Sequence, residues 1–319
     1  MKIVVLDYAT MGRDFDLDGL RALGEVTVYD DTKPEEMRER LADADAAISN
    51  RSRYTAGLLR ELPKLRYIGL TATGTNTVDL EYTHRESIVT TNVKGYSSAS
   101  VIQHTFALYF AVAVHLKFFD DFIAEGRYAR ESAAEYMSYP FHELAGKTWG
   151  IIGLGAIGRG VADIAKAFGC RVIYYSTGGG HDDPAYTRVS WDELLGESDV
   201  ISVHAPLNES TRGLVDAKAC AAMKKGAILV NVGRGAIVDA DALAEAIRSG
   251  RLAGAGLDVF DGEPIPEDSS LMKLKKDMGD RLILTPHVAW ASVEARQTLA
   301  REVAANLEAY LNGEERNRV

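Results

Sequence analysis

Short apolar segments alternate with helical patterns along the first part of the chain. The apolar segments predict strands, and they are Lys2–Leu6, Glu25–Tyr29, Ala46–Ser49, Tyr67–Leu70 and the β-branched segment Ser87–Val93. The segments between them that have a helical pattern include Pro34–Ala42 and Ala56–Leu62. Strands that alternate with helices indicate an α/β protein with a parallel sheet and helices on both faces.

The pattern changes at Ser98. From Ser98 to about Ala124 the chain has neither Pro nor Gly, which predicts one long helix. This segment is too apolar to be solvated on all sides, so we expect it to be a buried connector between two domains. An irregular stretch is expected after it, to about Leu144.

The alternation resumes after residue 147. The predicted strands are Thr148–Gly153, Arg171–Tyr175, Val200–His204, Ala227–Val232, Ala253–Val259 and Leu282–Thr285. The predicted helices are Ile157–Phe168, Asp192–Leu195, Asp216–Met223 and Asp241–Ser249. A second long helix, from about Val293 to Leu311, ends the chain. We expect it to pack back on the first domain, which makes that domain discontinuous.

Composition narrows the class of protein. At roughly 150 residues per domain, 319 residues suggest about two domains. The formal net charge of −10 disfavours nucleic acid and anionic membranes as partners. Cys170 and Cys220 cannot form a disulfide framework in a chain of this size, and no histidine pair or cysteine spacing suits a metal. The short N-terminal apolar run stops at Asp7, so it is not a signal peptide, and we expect a cytoplasmic protein.

A glycine-rich loop follows the strand that begins at Thr148. The spacing Gly153, Gly155, Gly158 is GxGxxG, and it lies between a predicted strand and a predicted helix. In that context the first glycine permits a tight turn, the second lets backbone approach a pyrophosphate, and the third lets helix and strand pack closely. The alternative is a glycine-rich turn that binds no ligand. We favour a dinucleotide, bound at the helix N-terminus.

The residues expected to contact the adenosine ribose follow the next strand. An acidic residue there would bind the ribose 2′-OH and repel a 2′-phosphate. Ser176 and Thr177 stand there instead, followed by Gly178–Gly180 and without an adjacent Lys or Arg. The choice between NAD and NADP therefore remains open.

Three later strand ends carry candidate chemistry. Arg234 lies between glycines after one strand, Asp258 and Glu263 follow the next, and His287 follows the last. Taken singly, Arg234 fits an ordinary surface arginine, Asp258 and Glu263 fit a solvated acidic loop, and His287 fits a structural histidine. Together they supply a cation for a carboxylate, an imidazole that moves a proton, and a carboxylate that orients the imidazole. Hydride transfer between a nicotinamide cofactor and a 2-oxo acid needs those roles.

In this order the motifs resemble the D-isomer-specific 2-hydroxyacid dehydrogenases along essentially the whole chain. The matching blocks are Gly146–Gly158, His204–Leu207, Asn231–Gly235, Gly256–Phe260 with Glu263-Pro264, and Thr285–His287. The resemblance implies that Arg234, Glu263 and His287 are catalytic. It also implies that Asp258 binds near the nicotinamide carboxamide, and that Thr73 and Gly74 hold the substrate together with Arg234 and His287.

The resemblance implies a larger set of cofactor contacts. They are Gly153, Gly155, Ala156, Ile157, Gly158, Ser176, Thr177, His204, Pro206, Thr211, Val232, Gly233, Arg234, Asp258 and His287. Several blocks look most like glycerate dehydrogenase/hydroxypyruvate reductase, among them Ala72–Gly74 with Asn76 and His287–Ser292. Two positions depart from the family: Ser176 stands where relatives usually have an acidic residue, and Thr75 where they often have Tyr.

The family pattern also implies an organisation. Two doubly wound, Rossmann-like domains would be joined by two long helices, with the site in the cleft between them. Residues 1–97 and 292–319 would form the substrate domain and 98–291 the dinucleotide domain, and Arg127–Leu144 would contribute to a homodimer. The implied substrates are hydroxypyruvate or glyoxylate. The alternative is an NAD(H)-binding redox sensor or corepressor of the same fold without physiological turnover. A formate dehydrogenase is disfavoured because such relatives carry Gln where this chain has Glu263.

Overall fold

The computed structural model describes residues 1–179 and 182–319. Gly180, the last glycine of the predicted ribose loop, lies outside the described residues, as does His181. The chain divides into two compact units. The first comprises Met1–Ser97 and Ala291–Val319, and the second comprises Ser98–Trp290.

The described residues form twelve strands in two sheets. The strands are β1 (Lys2–Val5), β2 (Glu25–Val28), β3 (Ala46–Ser49), β4 (Tyr67–Leu70), β5 (Val89–Thr91), β6 (Thr148–Ile152), β7 (Arg171–Tyr175), β8 (Thr187–Arg188), β9 (Val200–Val203), β10 (Ala227–Asn231), β11 (Leu252–Leu257) and β12 (Leu282–Leu284). Every strand pair is parallel, for example β1 with β3, where Ile3 lies opposite Ala46. The predicted α/β class with two parallel sheets is therefore confirmed.

Fourteen α-helices accompany these strands in the described part of the chain. They are α1 (Tyr8–Met11), α2 (Asp18–Arg21), α3 (Met37–Leu41), α4 (Ala56–Arg60), α5 (Leu80–Arg85), α6 (Ser98–Ala113), α7 (Leu116–Ala124), α8 (Ala133–Met137), α9 (Ala156–Ala167), α10 (Trp191–Glu197), α11 (Ala217–Ala222), α12 (Ala240–Arg248), α13 (Ser270–Asp277) and α14 (Val293–Leu311). Short 3₁₀ turns occur at Pro34–Glu36, Arg127–Ala129 and Gly235–Ile237.

The first unit contains a five-stranded sheet in the order β2-β1-β3-β4-β5. Strands β3 and β4 lie inside this sheet, and all their residues are buried. The C-terminal helix α14 packs on β4 and α2 of the same unit. The Tyr67 and Tyr310 rings lie 5.1 Å apart at that contact. The residues that end the chain thus complete the hydrophobic core built by the residues that begin it.

The second unit contains a seven-stranded sheet in the order β12-β11-β10-β9-β6-β7-β8. The strand order reverses between β6 and β9, because successive strands are added on opposite sides of β6. In an open parallel sheet, the crevice beyond the strand ends at such a reversal is where ligands bind. Gly153 and His204 directly follow these two strands, so the topology brings both to that crevice.

The predicted single helix from Ser98 to Ala124 is wrong. Helices α6 and α7 are bent by 63° at a break between Ala113 and Leu116. His115 has a left-handed backbone with φ of 52°, and its N–H bonds to Val112, three residues back, so the regular i→i−4 ladder stops there. The structural cause is tertiary, because α6 follows the surface of β11. A Cβ on Gly254 would lie 2.7 Å from Val112, and a Cβ on Gly256 would lie 2.7 Å from Leu108.

Several short elements were not predicted from the sequence. Helices α1, α2 and α5 have four to six residues, and β8 has two, which is too few for a periodic pattern. The stretch expected to be irregular contains α8 and a 3₁₀ turn at Arg127–Ala129. In the described ranges, no single helix meets both the length and the apolarity needed to cross a membrane, although the bent pair α6 and α7 meets them together.

Candidate active site

The three glycines of the GxGxxG loop have three different environments. Gly153 has a φ of 90°, and a Cβ there would lie 2.9 Å from the backbone N and Cα of Ala205. A Cβ on Gly158 would lie 2.3 Å from the carbonyl oxygen of Gly153. A Cβ on Gly155 would have no described atom within 4 Å. Two glycines therefore permit close packing, and the third faces open space, as a loop that admits a pyrophosphate requires.

Helix α9 begins directly after this loop. Its N-cap residue is Gly155, whose backbone is extended, and no side chain caps the helix. The first N–H groups of α9 are thus available to an anion, and the helix dipole adds partial positive charge at that end. Ala156 is exposed and Ile157 half-buried beside the loop. These residues fit the diphosphate of a dinucleotide.

Ser176 and Thr177, the residues expected to contact the adenosine ribose, directly follow β7. Ser176 and Thr177 are half-buried, and Gly178 and Gly179 are exposed. Arg159, in the first turn of α9, forms an ion pair with Asp183, whose side chain is 6% exposed.

His204 lies beside the glycine loop, because the next residue, Ala205, is the one that Gly153 contacts. Its Nε2 is 3.0 Å from Oγ of Ser202, and that hydroxyl also accepts a hydrogen bond of 2.8 Å from the indole of Trp149. Burial lowers the pKa of His204 to about 3, so the imidazole is neutral at physiological pH. Its Nδ1 is buried and has no hydrogen-bond partner in residues 1–179 and 182–319.

Hydrogen bonds within the loop after His204 fix its shape. Thr211 is 0% exposed, and its hydroxyl donates a hydrogen bond of 2.7 Å to the carbonyl of Pro206. The N–H of Asn208 donates to the same hydroxyl at 2.9 Å. Pro206 itself is exposed. Thr211 therefore fixes the shape of this loop, and its predicted contact with the cofactor stays a prediction.

Arg234 lies in a turn that Asn231 holds together. The Asn231 side chain is buried; its Oδ1 accepts from Gly233 N–H and its Nδ2 donates to the Arg234 carbonyl, both at 3.0 Å. Val232 is buried and Gly233 packs near the carbonyl oxygens of Val203 and Ala205. The Arg234 guanidinium is half-buried, and no carboxylate of the described residues lies within 4.0 Å of it. It can therefore receive the carboxylate of a ligand.

Gly235 brings the arginine turn against the acidic loop. A Cβ on Gly235 would lie 1.9 Å from the carbonyl carbon of Phe260 and 2.4 Å from the N of Asp261. The backbone of the two loops is thus in direct contact. Glu263 belongs to the second of these loops, so the contact relates Arg234 to Glu263 in space.

His287 and Glu263 form the proton-handling pair. Nδ1 of His287 is 2.7 Å from Oε2 of Glu263, and the side chains are 35% and 34% exposed. Oε1 of Glu263 accepts from the N–H of Phe260 at 3.1 Å. A carboxylate at Nδ1 favours the tautomer with hydrogen on Nδ1 when the ring is neutral. Nε2 then remains for a ligand, since the described residues give it no partner.

Asp258 lies beneath this pair and is 1% exposed. Its carboxylate accepts hydrogen bonds from Thr285 Oγ1 at 2.5 Å, from Val288 N–H at 3.0 Å and from Ala289 N–H at 2.8 Å. Asp258 therefore holds the loop that carries His287. The predicted contact with a nicotinamide carboxamide stays a prediction.

Thr73 and Gly74 belong to the first unit and follow β4. Thr73 Oγ1 donates to the carbonyl of Val93 at 2.8 Å, and Asn92 Nδ2 donates to the carbonyl of Thr73 at 2.7 Å. These bonds fix the backbone of the segment. Its role in substrate binding stays a prediction.

Comparisons with known proteins point to one family. The family model described as "D-isomer specific 2-hydroxyacid dehydrogenase, NAD binding domain" matches residues 106–289. The chain is 38% identical over 322 residues to a hydroxypyruvate reductase of Blautia hydrogenotrophica, with 98% of each protein covered. It is 36% identical over 294 residues to a glycerate dehydrogenase of Methylorubrum extorquens, covering 92% of this chain and 91% of that one. Among solved structures, an acyclic imino acid reductase (Bsp5) in complex with NADPH and D-Arg is 30% identical, with 100% of both chains covered and a TM-score of 0.88.

Proposed function

The chain belongs to the D-isomer-specific 2-hydroxyacid dehydrogenase family, and from that premise we propose that it interconverts hydroxypyruvate or glyoxylate with D-glycerate or glycolate. It is an NAD(P)-dependent oxidoreductase that reduces 2-oxo acids. The observation that carries the proposal is the His287–Glu263 pair at 2.7 Å. Among the described residues Nε2 of His287 has no partner, and the guanidinium of Arg234 on the neighbouring loop bonds only the carbonyl of Gly233 and pairs with no carboxylate.

The proposed roles follow from the charges and hydrogen-bonding capacity of these side chains. Bound NADH or NADPH supplies the hydride that is added to the substrate's C2. Arg234 binds the carboxylate of the 2-oxo acid and draws electron density from its carbonyl. His287 Nε2–H donates the proton that the carbonyl oxygen needs, and in the oxidative direction Nε2 takes it back. Glu263 stabilises the imidazolium and keeps the ring oriented.

The loop over α9 and the residues after β9 would hold the cofactor. Gly155 and the first N–H groups of α9 bind the diphosphate, and the neutral His204 lines the adjacent part of the crevice. The relative named as a hydroxypyruvate reductase supports the substrate assignment. The sensor alternative has no observation in its favour, whereas the complete set of Arg234, Glu263 and His287 favours turnover.

Initial rates of NADH and NADPH oxidation with hydroxypyruvate, glyoxylate, pyruvate and longer 2-oxo acids test the proposal. We expect the highest kcat/KM with hydroxypyruvate or glyoxylate. His287→Ala should lower kcat by about 10²–10⁴-fold while NADH binding, measured by fluorescence, is retained. His84→Ala serves as a control at an exposed position in the other unit. NADH binding with no turnover of any 2-oxo acid would favour the sensor.

A homodimer is the proposed assembly. Large apolar side chains are exposed within one stretch of the second unit, namely Leu116, Ile123, Tyr128, Met137 and Phe141, at 52–73%. A cluster of this kind in sequence is typical of a protein–protein interface. We expect light scattering to give twice the 34.7 kDa chain mass, and Met137→Glu with Phe141→Glu to give a monomer. A monomeric wild type would contradict the assignment.

The cytoplasmic location also stays a prediction. Fractionation of cells that express the protein, with a cytoplasmic marker enzyme followed in parallel, would check it. Recovery with the membrane or periplasmic fraction would contradict it.

A further inference from the structure

One histidine of helix α6 contacts the catalytic loop and has no role in the chemistry described above. The His104 side chain is 22% exposed. Its Nε2 lies 2.9 Å from Oγ1 of Thr285 and 3.6 Å from Oδ1 of Asp258. All three residues belong to the second unit.

The direction of these hydrogen bonds follows from the groups involved. An ionised carboxylate only accepts, so the single hydrogen of the Thr285 hydroxyl is donated to Asp258. The Thr285 oxygen then accepts from Nε2–H of His104. The imidazole thereby orients the hydroxyl toward the buried carboxylate, and a buried carboxylate is stabilised only when its oxygens have donors.

The same carboxylate determines where His287 lies. Its two oxygens accept from the N–H groups of Val288 and Ala289, which directly follow His287. The backbone carbonyl of Asp258 accepts from the N–H of His287 at 2.9 Å. His287 has a left-handed backbone with φ of 56°, a conformation that a non-glycine residue keeps only when its surroundings impose it.

Helix α6 holds the loop at a second point, one turn earlier. Oγ of Ser100 donates to the carbonyl of Ala289 at 2.6 Å. The helix itself lies directly on Gly254 and Gly256 of β11, the strand that leads into Asp258. Two side chains of α6 thus connect a rigidly packed helix to the loop of the catalytic histidine.

We propose that His104 is a positioning residue, which holds the His287 imidazole in place for proton transfer through Thr285 and Asp258. The kinetic part of this inference rests on the proposed function, whereas the effect on the loop does not. Proton transfer is sensitive to placement, so a small shift of the loop affects turnover more than it affects binding of substrate or cofactor.

The variants His104→Leu and His104→Gln test the series of hydrogen bonds that runs from His104 through Thr285 and Asp258 to the His287 loop. Leucine removes the donor, and we expect kcat to fall by about 3- to 10-fold, the effect of one neutral hydrogen bond. The KM for the oxo acid and the dissociation constant of NADH should stay within about twofold. Glutamine restores an N–H donor and should restore most of kcat. His84→Leu is the matched control, since Nε2 of His84 bonds the Val319 carbonyl at 2.9 Å in the other unit.

Two measurements separate positioning from general destabilisation. In the His287→Ala background, His104→Leu should produce no further loss of kcat, because the residue it positions is gone. Amide hydrogen exchange of the segment 285–290, measured without substrate, should accelerate by about threefold or more in His104→Leu and stay unchanged in His84→Leu.

Either of two results overturns the inference. One is unchanged exchange together with unchanged kcat in folded His104→Leu. The other is an equal loss of kcat with and without His287, or a loss that glutamine does not restore. A wild type that turns over no 2-oxo acid counts against the proposed function instead, and the exchange measurement then decides the inference by itself.

Discussion

Gly235→Ala tests whether the direct backbone contact between the arginine turn and the acidic loop is needed for catalysis. The new Cβ would lie 1.9 Å from the carbonyl carbon of Phe260 and 2.2 Å from its oxygen. These are backbone atoms, so no side-chain rotation relieves the overlap. Separation to 3.4 Å, where ordinary contact begins, requires a relative movement of roughly 1.5 Å.

That movement has a calculable consequence for the site. It changes the distance between the Arg234 turn and the loop that carries Glu263, and a misplacement of about 1 Å can cost on the order of 10²-fold in rate. We therefore expect kcat/KM to fall by about 100-fold, or about 2.7 kcal/mol of transition-state stabilisation. Overpacking should also cost about 1–3 kcal/mol of stability.

The assay compares Gly235→Ala with Gly196→Ala. Gly196 lies in α10 of the same unit, and its Cβ would have no described atom within 4 Å, so alanine should be neutral or slightly stabilising there. We would measure kcat/KM with the preferred oxo acid, the NADH dissociation constant and Tm. NADH affinity should fall much less than kcat/KM, because the GxGxxG loop, which is expected to hold the diphosphate, is not part of the contact. A Gly235→Ala protein with kcat/KM near that of the wild type would refute the reasoning.

Three further predictions follow from single side chains. Arg234→Lys keeps the charge but loses the bidentate geometry, so we expect a raised KM for the oxo acid with partial activity. Arg234→Gln should lose far more activity. An equal loss of NADH binding in either variant would place Arg234 at the phosphates instead. Ser176→Asp should shift cofactor preference toward NADH, since a carboxylate there repels the 2′-phosphate of NADPH; a wild-type kcat/KM ratio above about a thousandfold for NADH over NADPH would contradict the idea that this position leaves both cofactors acceptable. The folded-state pKa of His204, lowered by burial to about 3 from 6.5, means that the unfolded state binds more protons below pH 6.5. Its contribution to the free energy of unfolding is therefore lost as pH falls from about 6.5, by up to about 1.4 kcal/mol per pH unit. The Tm of His204→Gln should depend less on pH over that range than the Tm of the wild type. Parallel Tm profiles for the two proteins would disprove the assignment.

The sequence by itself was sufficient for the features that local patterns carry. The alternation of short apolar segments with helices predicted the parallel sheets, because a strand buried on both faces must be apolar along its length. The GxGxxG spacing predicted how Gly153 and Gly158 pack: Gly158 lies against the backbone of Gly153, and Gly153 lies against Ala205, which follows the strand that neighbours β6 in the sheet. Arg234, Glu263 and His287 were singled out because each follows a predicted strand, and the ends of parallel strands meet at one edge of a sheet. The structure places Glu263 against His287, and the catalytic roles stay predictions.

Tertiary structure decided what depends on contacts between distant segments. No Pro or Gly in the sequence marks the helix break at His115. The break lies where α6 leaves the surface of β11. In the sequence Gly235 is an ordinary turn glycine. Only the structure shows that the backbone of Phe260, which lies 25 residues later, packs against it. His104 precedes Thr285 by 181 residues, and its position in an apolar helix gives no sign of a polar partner. A hydrogen bond depends on separation in space, and only the packed fold brings such residues within 3 Å of one another.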